Sequence, residues 1–298
     1  MVSLVSEEAE RIVSTPPRTA ETAFGCARDF HDNEFVYTVV SPRARGLSLG
    51  VNLNPDKRCN FDCIYCEVDR SCARPDAKLD IPRMQDELER MMQFVLAGRL
   101  RERPQYQKLP DELLALKHVA LSGDGEPTLS PQFAEAVESI VHLRACRRVP
   151  FFKIVVITNG SGLTHPTVAE SLELLTLHDE VWAKLDAGTN DHLQRVNQPD
   201  CPIDAILANI LSLARKRPVI IQSLFASARG LEPSPSEVEA YVSRLSDLRQ
   251  AGAKIPLVQI YSATRPTSHP GCGHLSLRQL GRIAQRVREG AGLRAEVF

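Results

Sequence analysis

The sequence predicts an α/β protein built on one parallel sheet with helices packed outside it. Six short runs of apolar, often β-branched residues are bounded by turn residues, which is typical of buried strands. A helix-like segment follows each run, and strands joined through helices pair in parallel. The chain has 298 residues, 43% of them hydrophobic and 24% charged, which suits a single domain of this class.

The six predicted strands are mostly apolar and end in polar or turn residues. In chain order they are LSLGVNL from Leu47, HVALSG from His118, FKIVVIT from Phe152, EVWAKLD from Glu180, VIIQSLF from Val219 and IPLVQIY from Ile255. Sheets of this type place their functional sites at the carboxyl ends of the strands. The residues that follow each run are therefore the first candidates for a site.

Many of the predicted helices open on proline or on a residue that caps a helix. They start at Pro82, Ser130, His165, Ile203, Ser234 and Ser276. Ser130 and Ser234 each precede a proline, and this pair of residues is typical of an N-cap followed by the first helical position. The segments before Val36, from Arg99 to Pro110 and from Arg229 to Pro235 are predicted to be an N-terminal extension and two loops.

Charge and hydropathy narrow the class of protein further. The 36 Lys and Arg residues nearly balance 37 Asp and Glu residues, so no global positive field attracts nucleic acid or anionic lipid. The longest apolar run, FFKIVVI from Phe151, is too short to span a bilayer, and the first residues do not form a signal peptide pattern. We therefore expect a cytoplasmic protein with an N-terminal extension over residues 1–40 and one domain over residues 41–298.

Three of the eight cysteines fall within eight residues, CNFDCIYC, directly after the first predicted strand. Thiolates are soft ligands for metals and clusters. Cys59, Cys63 and Cys66 are enough to hold three irons of a [4Fe-4S] cube and leave the fourth iron open to another ligand. The alternative is a non-catalytic Cys₄ zinc module completed by Cys72 or Cys26, although the spacing is not that of paired zinc ligands.

The cysteine spacing resembles the C-x₃-C-x₂-C signature of the radical SAM superfamily, and the resemblance extends from about Val36 to Pro266. It implies a partial (β/α)₆ barrel of radical SAM type with a [4Fe-4S] cluster on the three cysteines. It also implies that the open iron binds S-adenosylmethionine (SAM). An electron from the cluster would cleave SAM to methionine and a 5′-deoxyadenosyl radical, which abstracts hydrogen from a substrate.

The same resemblance implies which residues contact SAM. Tyr65 would lie near the adenine, and the turn LSGDGEPTL from Leu121 would end in Glu126, the acid that receives the methionine amino group. A simple turn is the alternative explanation for its glycines. The predicted cofactor-binding residues are Tyr65, Ser122, Gly123, Gly125, Glu126, Thr158, Asn159, Lys184, Asp186 and Gln222.

Polar residues inside the predicted strands point to a lumen. Trp182, Lys184 and Asp186 share one face of the fourth strand because side chains alternate along a strand. Polar groups in a strand that is buried on both sides need a partner or a ligand. The alternative is a Lys184–Asp186 pair at a sheet edge. Gln222 and Gln259 fit the same lumen, or are core amides with satisfied hydrogen bonds.

Within the superfamily the sequence is most similar to the wyosine synthases, which modify a guanosine in transfer RNA. The segments that carry this similarity are SPRARGLSLGVNLNPDKRCNFDCIYC from Ser41, SGDGEPTL from Ser122 and VQIYSATRP from Val258. The chain departs from that branch upstream of the motif, where Cys26 is the one cysteine and Lys57 the one lysine. Wyosine synthases bind a second cluster through three cysteines upstream of the motif and hold pyruvate on a lysine. This sequence has neither the three upstream cysteines nor a lysine placed to bind pyruvate.

The electron donor and the substrate are predicted from less direct features of the sequence. Because the sequence holds no flavin-binding domain, a separate flavodoxin or ferredoxin is expected to deliver the electron. Arg265, after the last predicted strand, is expected to clamp a carboxylate or phosphate and joins Lys184 and Asp186 as a predicted catalytic residue. The substrate is a transfer RNA guanosine if the branch holds, and otherwise a peptide or a small metabolite. Six residues beside the motif predict either a basic rim for phosphates or solvated surface charge: Arg43, Arg45, Lys57, Arg58, Arg70 and Arg74.

Overall fold

A curled eight-stranded sheet forms the centre of the molecule, in the order β1-β2-β3-β4-β5-β6-β8-β10. The computed structural model describes residues 28–265, 267, 269 and 271–298. The strands are β1 Val36–Ser41, β2 Gly46–Val51, β3 Leu116–Leu121, β4 Ile154–Thr158, β5 Glu180–Lys184, β6 Val219–Leu224, β7 Ala226–Ala228, β8 Val258–Tyr261, β9 Cys272–His274 and β10 Ala295–Val297. Neighbours in the large sheet are parallel except β1 and β2, and β7 and β9 form a small antiparallel sheet.

The predicted fold class is confirmed, and all six predicted strands are present in the parallel part of the sheet. Two further strands of the large sheet were not predicted. β1 forms an antiparallel hairpin with β2 and includes residues 36–40, which the sequence assigned to the extension. β10 has three residues and adds a seventh parallel strand beside β8. Strands as short as β10 carry too few residues to show a period in the sequence.

Helices cover the convex side of the sheet. They are α1 Ile81–Leu96, α2 Asp111–Leu114, α3 Phe133–Ala145, α4 Pro166–Glu173, α5 Asn190–Val196, α6 Ile203–Lys216, α7 Pro235–Gln250 and α8 Leu277–Gly290. Under them, alternate strand residues form one large apolar core, and Leu47, Leu49 and Val51 are fully buried in it. None of the helices in the described residues is long and apolar enough to cross a membrane.

Of the two helix starts predicted at a serine followed by proline, one is correct and the other is wrong. Ser234 caps α7, since its side-chain oxygen accepts a hydrogen bond from the Glu237 amide at 3.1 Å, with proline at the first helical position. Ser130 does not cap α3, which begins at Phe133. A short 3₁₀ turn, Pro127–Leu129, precedes it, and the Ser130 carbonyl accepts the Phe133 amide at 3.1 Å. The serine and its proline therefore belong to the link between turn and helix.

Side chains bridge the open edge of the curled sheet, between β1 and β10. The turn from β1 to β2 carries Arg43 and Arg45 across this gap. Arg45 forms an ion pair with Glu296 of β10 at 2.7 Å, and Arg43 lies 4.0 Å over the ring of Tyr261 at the end of β8. Arg265 donates a hydrogen bond to the Val40 carbonyl at 3.4 Å. The lumen is thus closed on this side by arginines, not by paired strands.

Candidate active site

One cavity lies inside the curled sheet at the carboxyl ends of its parallel strands, with a volume of about 1490 Å³ including its open mouth. The structure brings most of the predicted site residues together there. Those that line it are Cys59, Tyr65, Cys63, Cys66, Ser122, Gly123, Gly125, Glu126, Thr158, Asn159, Lys184, Gln222 and Arg265.

The three cysteines lie in a long irregular segment, residues 52–80, between β2 and α1. Its backbone is attached to the end of α5, because the Asp62 amide donates to the Asn197 carbonyl and the Ile64 amide to the Val196 carbonyl, both at 2.9 Å. The Cys66 amide also donates to the Cys63 carbonyl at 2.9 Å. The cysteine loop is therefore held against the sheet at the mouth of the lumen.

An N–H group faces each of the three sulfur atoms. The Phe61 amide lies 3.5 Å from Cys59 Sγ, and the side-chain amide of Asn197 lies 3.4 Å from Cys63 Sγ. Arg70 Nη2 lies 3.9 Å from Cys66 Sγ. Donors directed at sulfur favour the thiolate form, which is the form that binds metals and clusters.

Burial has the opposite effect on two of these thiols. It raises the pKa of Cys59 and raises the pKa of Cys63 to about 12. Burial therefore favours the protonated form of these two thiols. Binding of a cation or of a cluster would replace the proton, so that loading of the site releases protons.

The arrangement suits a polynuclear cluster better than a single ion. Within the described part of the chain, no three His, Cys, Asp or Glu side chains are grouped closely enough to hold one metal ion. In a [4Fe-4S] cube each thiolate binds a different iron, so its cysteines lie further apart than the ligands of one zinc ion. Cys72 is exposed, with its sulfur near Asp69, and Cys26 lies outside the described residues.

The Gly-rich turn after β3 lies directly against the start of the cysteine loop. A Cβ on Gly125 would stand 2.0 Å from the Arg58 carbonyl, and one on Gly123 would stand 2.4 Å from Asn52 Oδ1. Gly123 also has a φ of +148°. These glycines are therefore required for the close approach of two backbones, and the turn positions the loop that carries the cysteines.

Glu126 joins the ends of β3 and β4. It is buried, and its oxygens accept hydrogen bonds from the Thr128 amide and hydroxyl, the Thr158 hydroxyl and the Asn159 amide. Burial raises its pKa, although these four donors oppose that shift. Glu126 lines the cavity and also fixes the two strand ends.

Asp186 lies behind the cavity wall and does not line it. It follows β5 by two residues and was predicted to share a face with Lys184, and its charge helps to raise the pKa of that lysine. One oxygen accepts hydrogen bonds from Tyr65 Oη and, at 2.9 Å, from the Asn197 side chain, and the other accepts the Leu224 amide at 2.7 Å. Asp186 therefore connects the cysteine loop to β6.

Lys184 is a cation within the lumen, with its Nζ 5.5 Å from the centre of the Tyr65 ring. Burial alone would lower its pKa, but the charges of Tyr261, Cys63, Asp186 and Cys66 raise it above the usual value. Gln222 and Gln259 satisfy each other through a hydrogen bond of 3.2 Å. Of these two amides only Gln222 lines the cavity.

Several residues at this site were not singled out from the sequence. His118 and Tyr261 face the lumen from predicted strands, so strand alternation was the available signal. Tyr37 lies on the unpredicted β1 and shares a hydrogen bond of 2.9 Å with Ser122. Asn197, the last residue before a sharp turn after α5, gave no sequence signal because α5 itself was not predicted.

The predicted basic rim is not a single surface. Arg45 is paired with Glu296 and Arg70 with Asp62 at 3.0 Å. Arg58 lies 3.7 Å from Asp56, and Lys57 donates to the Asp69 carbonyl. Arg265, predicted to clamp an anion, lies 3.2 Å from Glu67 at the cavity wall. Acidic partners thus offset most of these charges, and Arg74 is simply exposed.

Comparison with known families shows to which superfamily the chain belongs. The model of the radical SAM superfamily matches residues 53–225, more than half of the chain. The chain belongs to the radical SAM superfamily. The matched region contains the cysteine loop, the Gly-rich turn and Lys184.

Two relatives by sequence carry names that assign no reaction. This radical SAM protein is 32% identical over 185 residues to a UPF0026 protein of Helicobacter pylori strain J99, covering 60% of this chain and 52% of that protein. It is 28% identical over 238 residues to the UPF0026 protein of H. pylori strain 26695, covering 78% of this chain and 67% of that protein. The chain thus spans about half the length of the first relative.

Solved structures show the same fold at low identity. Streptococcus suis SuiB bound to S-adenosylmethionine matches with a TM-score of 0.57 and 15% identity over 86% of this chain and 52% of that chain. A TYW1 structure with a lysine–pyruvate adduct bound matches with a TM-score of 0.54 and 16% identity over 86% and 84%. At these identities the likeness is one of fold.

Proposed function

We propose that this radical SAM enzyme binds a [4Fe-4S] cluster through Cys59, Cys63 and Cys66 and cleaves SAM reductively to start hydrogen abstraction from a substrate. The observation that carries the proposal is the convergence of three cysteines on one cavity, with an N–H group directed at each sulfur. The bound cluster would supply the electron that cleaves SAM to methionine and a 5′-deoxyadenosyl radical.

The surrounding residues are suited to hold and orient SAM. Tyr65, fixed through its hydroxyl by Asp186 and Asn197, offers an aromatic face beside the cysteines. The turn that ends in Glu126 and the residues Thr158 and Asn159 form the adjacent wall. Lys184 contributes a positive charge that would attract an anionic group of the cofactor. We assign these residues, with Ser122 and Gln222, to the cofactor site.

Anaerobic reconstitution with iron and sulfide tests the proposal. We expect a brown protein that releases 5′-deoxyadenosine from SAM when dithionite is added, and we expect Cys63→Ala to abolish both properties. Cys146→Ala is the matched control, since Cys146 is exposed at the end of α3 and should leave them unchanged. Stoichiometric zinc without 5′-deoxyadenosine would instead support the non-catalytic module.

Reduction of the cluster would require a partner. Iron–sulfur potentials reach down to about −700 mV, and cleavage of a sulfonium needs the low end of that range. We therefore propose a separate flavodoxin or ferredoxin as the electron donor. Steady turnover by the purified protein with NADPH alone would contradict this.

For the substrate we propose a guanosine in transfer RNA, with a peptide or a small metabolite as the alternative. The sequence resemblance to wyosine synthases and the fold likeness to TYW1 support it, whereas the acidic partners of the basic residues do not. Titration of transfer RNA at two salt concentrations is the test, because phosphate contacts release counterions and lose affinity as salt rises. Salt-sensitive binding weakened by Arg58→Ala with Arg74→Ala supports the RNA substrate, and absence of binding at low salt removes it.

A further inference from the structure

Some of the cations that line the cavity form ion pairs with acidic side chains, and others do not. Three belong to ion pairs: Arg28 with Asp124 at 2.7 Å, Arg70 with Asp62 at 3.0 Å and Arg265 with Glu67 at 3.2 Å. The carboxylate of Glu126 is occupied by four donors of its own. The cavity therefore has no spare carboxylate among its described lining residues for the cations that remain, Arg43 and Lys184.

Arg43 is held in place by an aromatic ring, but its guanidinium makes no hydrogen bond to a described residue. Its guanidinium carbon lies 4.0 Å from the centre of the Tyr261 ring, and its Nε is buried without a hydrogen-bond partner. No oxygen of the described residues accepts a hydrogen bond from this guanidinium. Stacking uses the flat face of a guanidinium and leaves its in-plane N–H donors for another group.

Tyr261 and His118 are two uncharged polar residues of the cavity that interact with Arg43. The Tyr261 hydroxyl is engaged with Gln222 at 3.3 Å. His118 lines the same cavity and packs edge-on against Trp182 with ring centres 5.3 Å apart. Burial, with the charges of Lys153 and Arg43, lowers the pKa of His118 to about 3, so its ring is neutral. Like the guanidinium of Arg43, the imidazole ring of His118 makes no hydrogen bond to a described residue. It is therefore available to a ligand.

The Nε of Arg43 is buried without a hydrogen-bond partner, and a bound anion would supply one. Carboxylates and phosphates match the planar donors of arginine and form paired, charge-assisted hydrogen bonds. Lys184, the other cation, lies beside Tyr65 and the cysteines and is assigned to the cofactor. Arg43 stacks on Tyr261 and is therefore the cation that is left for the substrate.

We propose that Arg43, stacked on Tyr261 beside His118, binds an oxyanion of the substrate, a carboxylate or a phosphate. The inference rests on the proposed function, since it names a chemical group of the molecule on which the radical acts. It applies equally to a small acid and to a nucleotide, and the probes below separate these two sources.

Calorimetric titration of the reconstituted, SAM-saturated protein at constant ionic strength tests the inference, with inorganic phosphate and succinate as probes. We expect wild type to bind one of them, and Arg43→Gln to bind it at least tenfold more weakly. Arg45→Gln is the matched control, because Arg45 lies in the same turn but pairs with Glu296 outside the cavity. Preference for phosphate indicates a phosphorylated substrate, and preference for succinate indicates a carboxylic acid.

Three results would overturn the inference: no binding of either probe by wild type at millimolar concentrations, unchanged binding by Arg43→Gln, or loss of binding in Lys184→Gln alone. Arg43→Lys keeps the charge without the flat donor fork, and we expect its affinity for the probe to lie between those of wild type and Arg43→Gln. If Arg43→Gln is unstable, Arg43→Lys is compared with wild type in its place. Formation of 5′-deoxyadenosine by wild type is measured separately. If no 5′-deoxyadenosine forms, the proposed function is rejected, while the result of the anion titration remains valid.

Discussion

Asn197 shows how one buried side chain organises the cysteine loop. Its amide nitrogen donates to Cys63 Sγ at 3.4 Å and to both Tyr65 Oη and Asp186 at 2.9 Å. It thereby joins a thiol and an aromatic ring of the cysteine loop to the carboxylate of Asp186, which follows β5. The sequence offered no reason to select it, because an asparagine after a helix is usually a turn residue.

Replacement of Asn197 by leucine removes these donors at nearly constant volume. We expect a loss of about 1–3 kcal/mol in the free energy of unfolding, since Tyr65 and Asp186 then keep fewer partners in a buried place. We also expect a lower iron content after reconstitution. Urea unfolding and iron analysis measure the two effects, with Gln194→Ala on the exposed face of the same helix as control. Iron content equal to wild type would show that the amide is not needed for loading.

At the scale of elements, the turn after β3 and the cysteine loop form one unit. The sequence identified both segments, because a Gly-rich turn after a strand and a cluster of cysteines are local patterns. It did not show that they touch. That contact depends on the pairing of β2 with β3, which brings the ends of two strands 65 residues or more apart in the chain side by side.

Gly125→Ala is expected to displace the cysteine loop while the sheet stays folded. The added Cβ would meet the Arg58 carbonyl at 2.0 Å, and this backbone atom can move only with the loop. Far-ultraviolet circular dichroism should therefore be unchanged while cluster binding is lost. Gly281→Ala in α8 is the control, since nothing lies within 4 Å of its added Cβ. Normal cluster binding by Gly125→Ala would contradict the contact.

For the whole molecule, the sequence predicted the fold class and most of the lining of the site, and it missed what depends on tertiary contacts. Strand periodicity identified the six central strands and the lumen residue Lys184. The predicted start of α3 was wrong because a 3₁₀ turn stands where the sequence predicted the beginning of the helix. The ion pairs that neutralise the basic residues could not be predicted, since their partners, such as Glu296 for Arg45, are distant in sequence.

A buried ion pair connects α3, β4 and the segment before β5. Asp179 accepts hydrogen bonds from Arg144 of α3 at 2.7 and 3.0 Å, from the first amide of β4 and from Thr176. Burial alone would raise the pKa of Asp179, but these donors lower it below its ordinary value. The stabilisation is therefore present at neutral pH and is lost as the pH falls below about 4, through the folded-state pKa.

We expect Asp179→Asn to cost about 3–5 kcal/mol at pH 7, because it leaves a buried arginine without its anion. The difference from wild type should shrink as the pH is lowered through the acid range. Asp86→Asn, which breaks the exposed pair with Arg90, should cost about 1 kcal/mol or less. Urea unfolding at several pH values measures both, and equal costs for the two variants would show that burial of the pair does not matter.

The arginines across the open edge of the sheet determine how large a molecule can enter. Where two strands close a barrel, passage through the wall would break a ladder of backbone hydrogen bonds. Here an exposed ion pair, Arg45 with Glu296, and a stacked ring hold the two edges together, and such a pair is worth about 1 kcal/mol or less. Replacing these side chains would therefore loosen this edge of the lumen at small cost, while the strands keep their register.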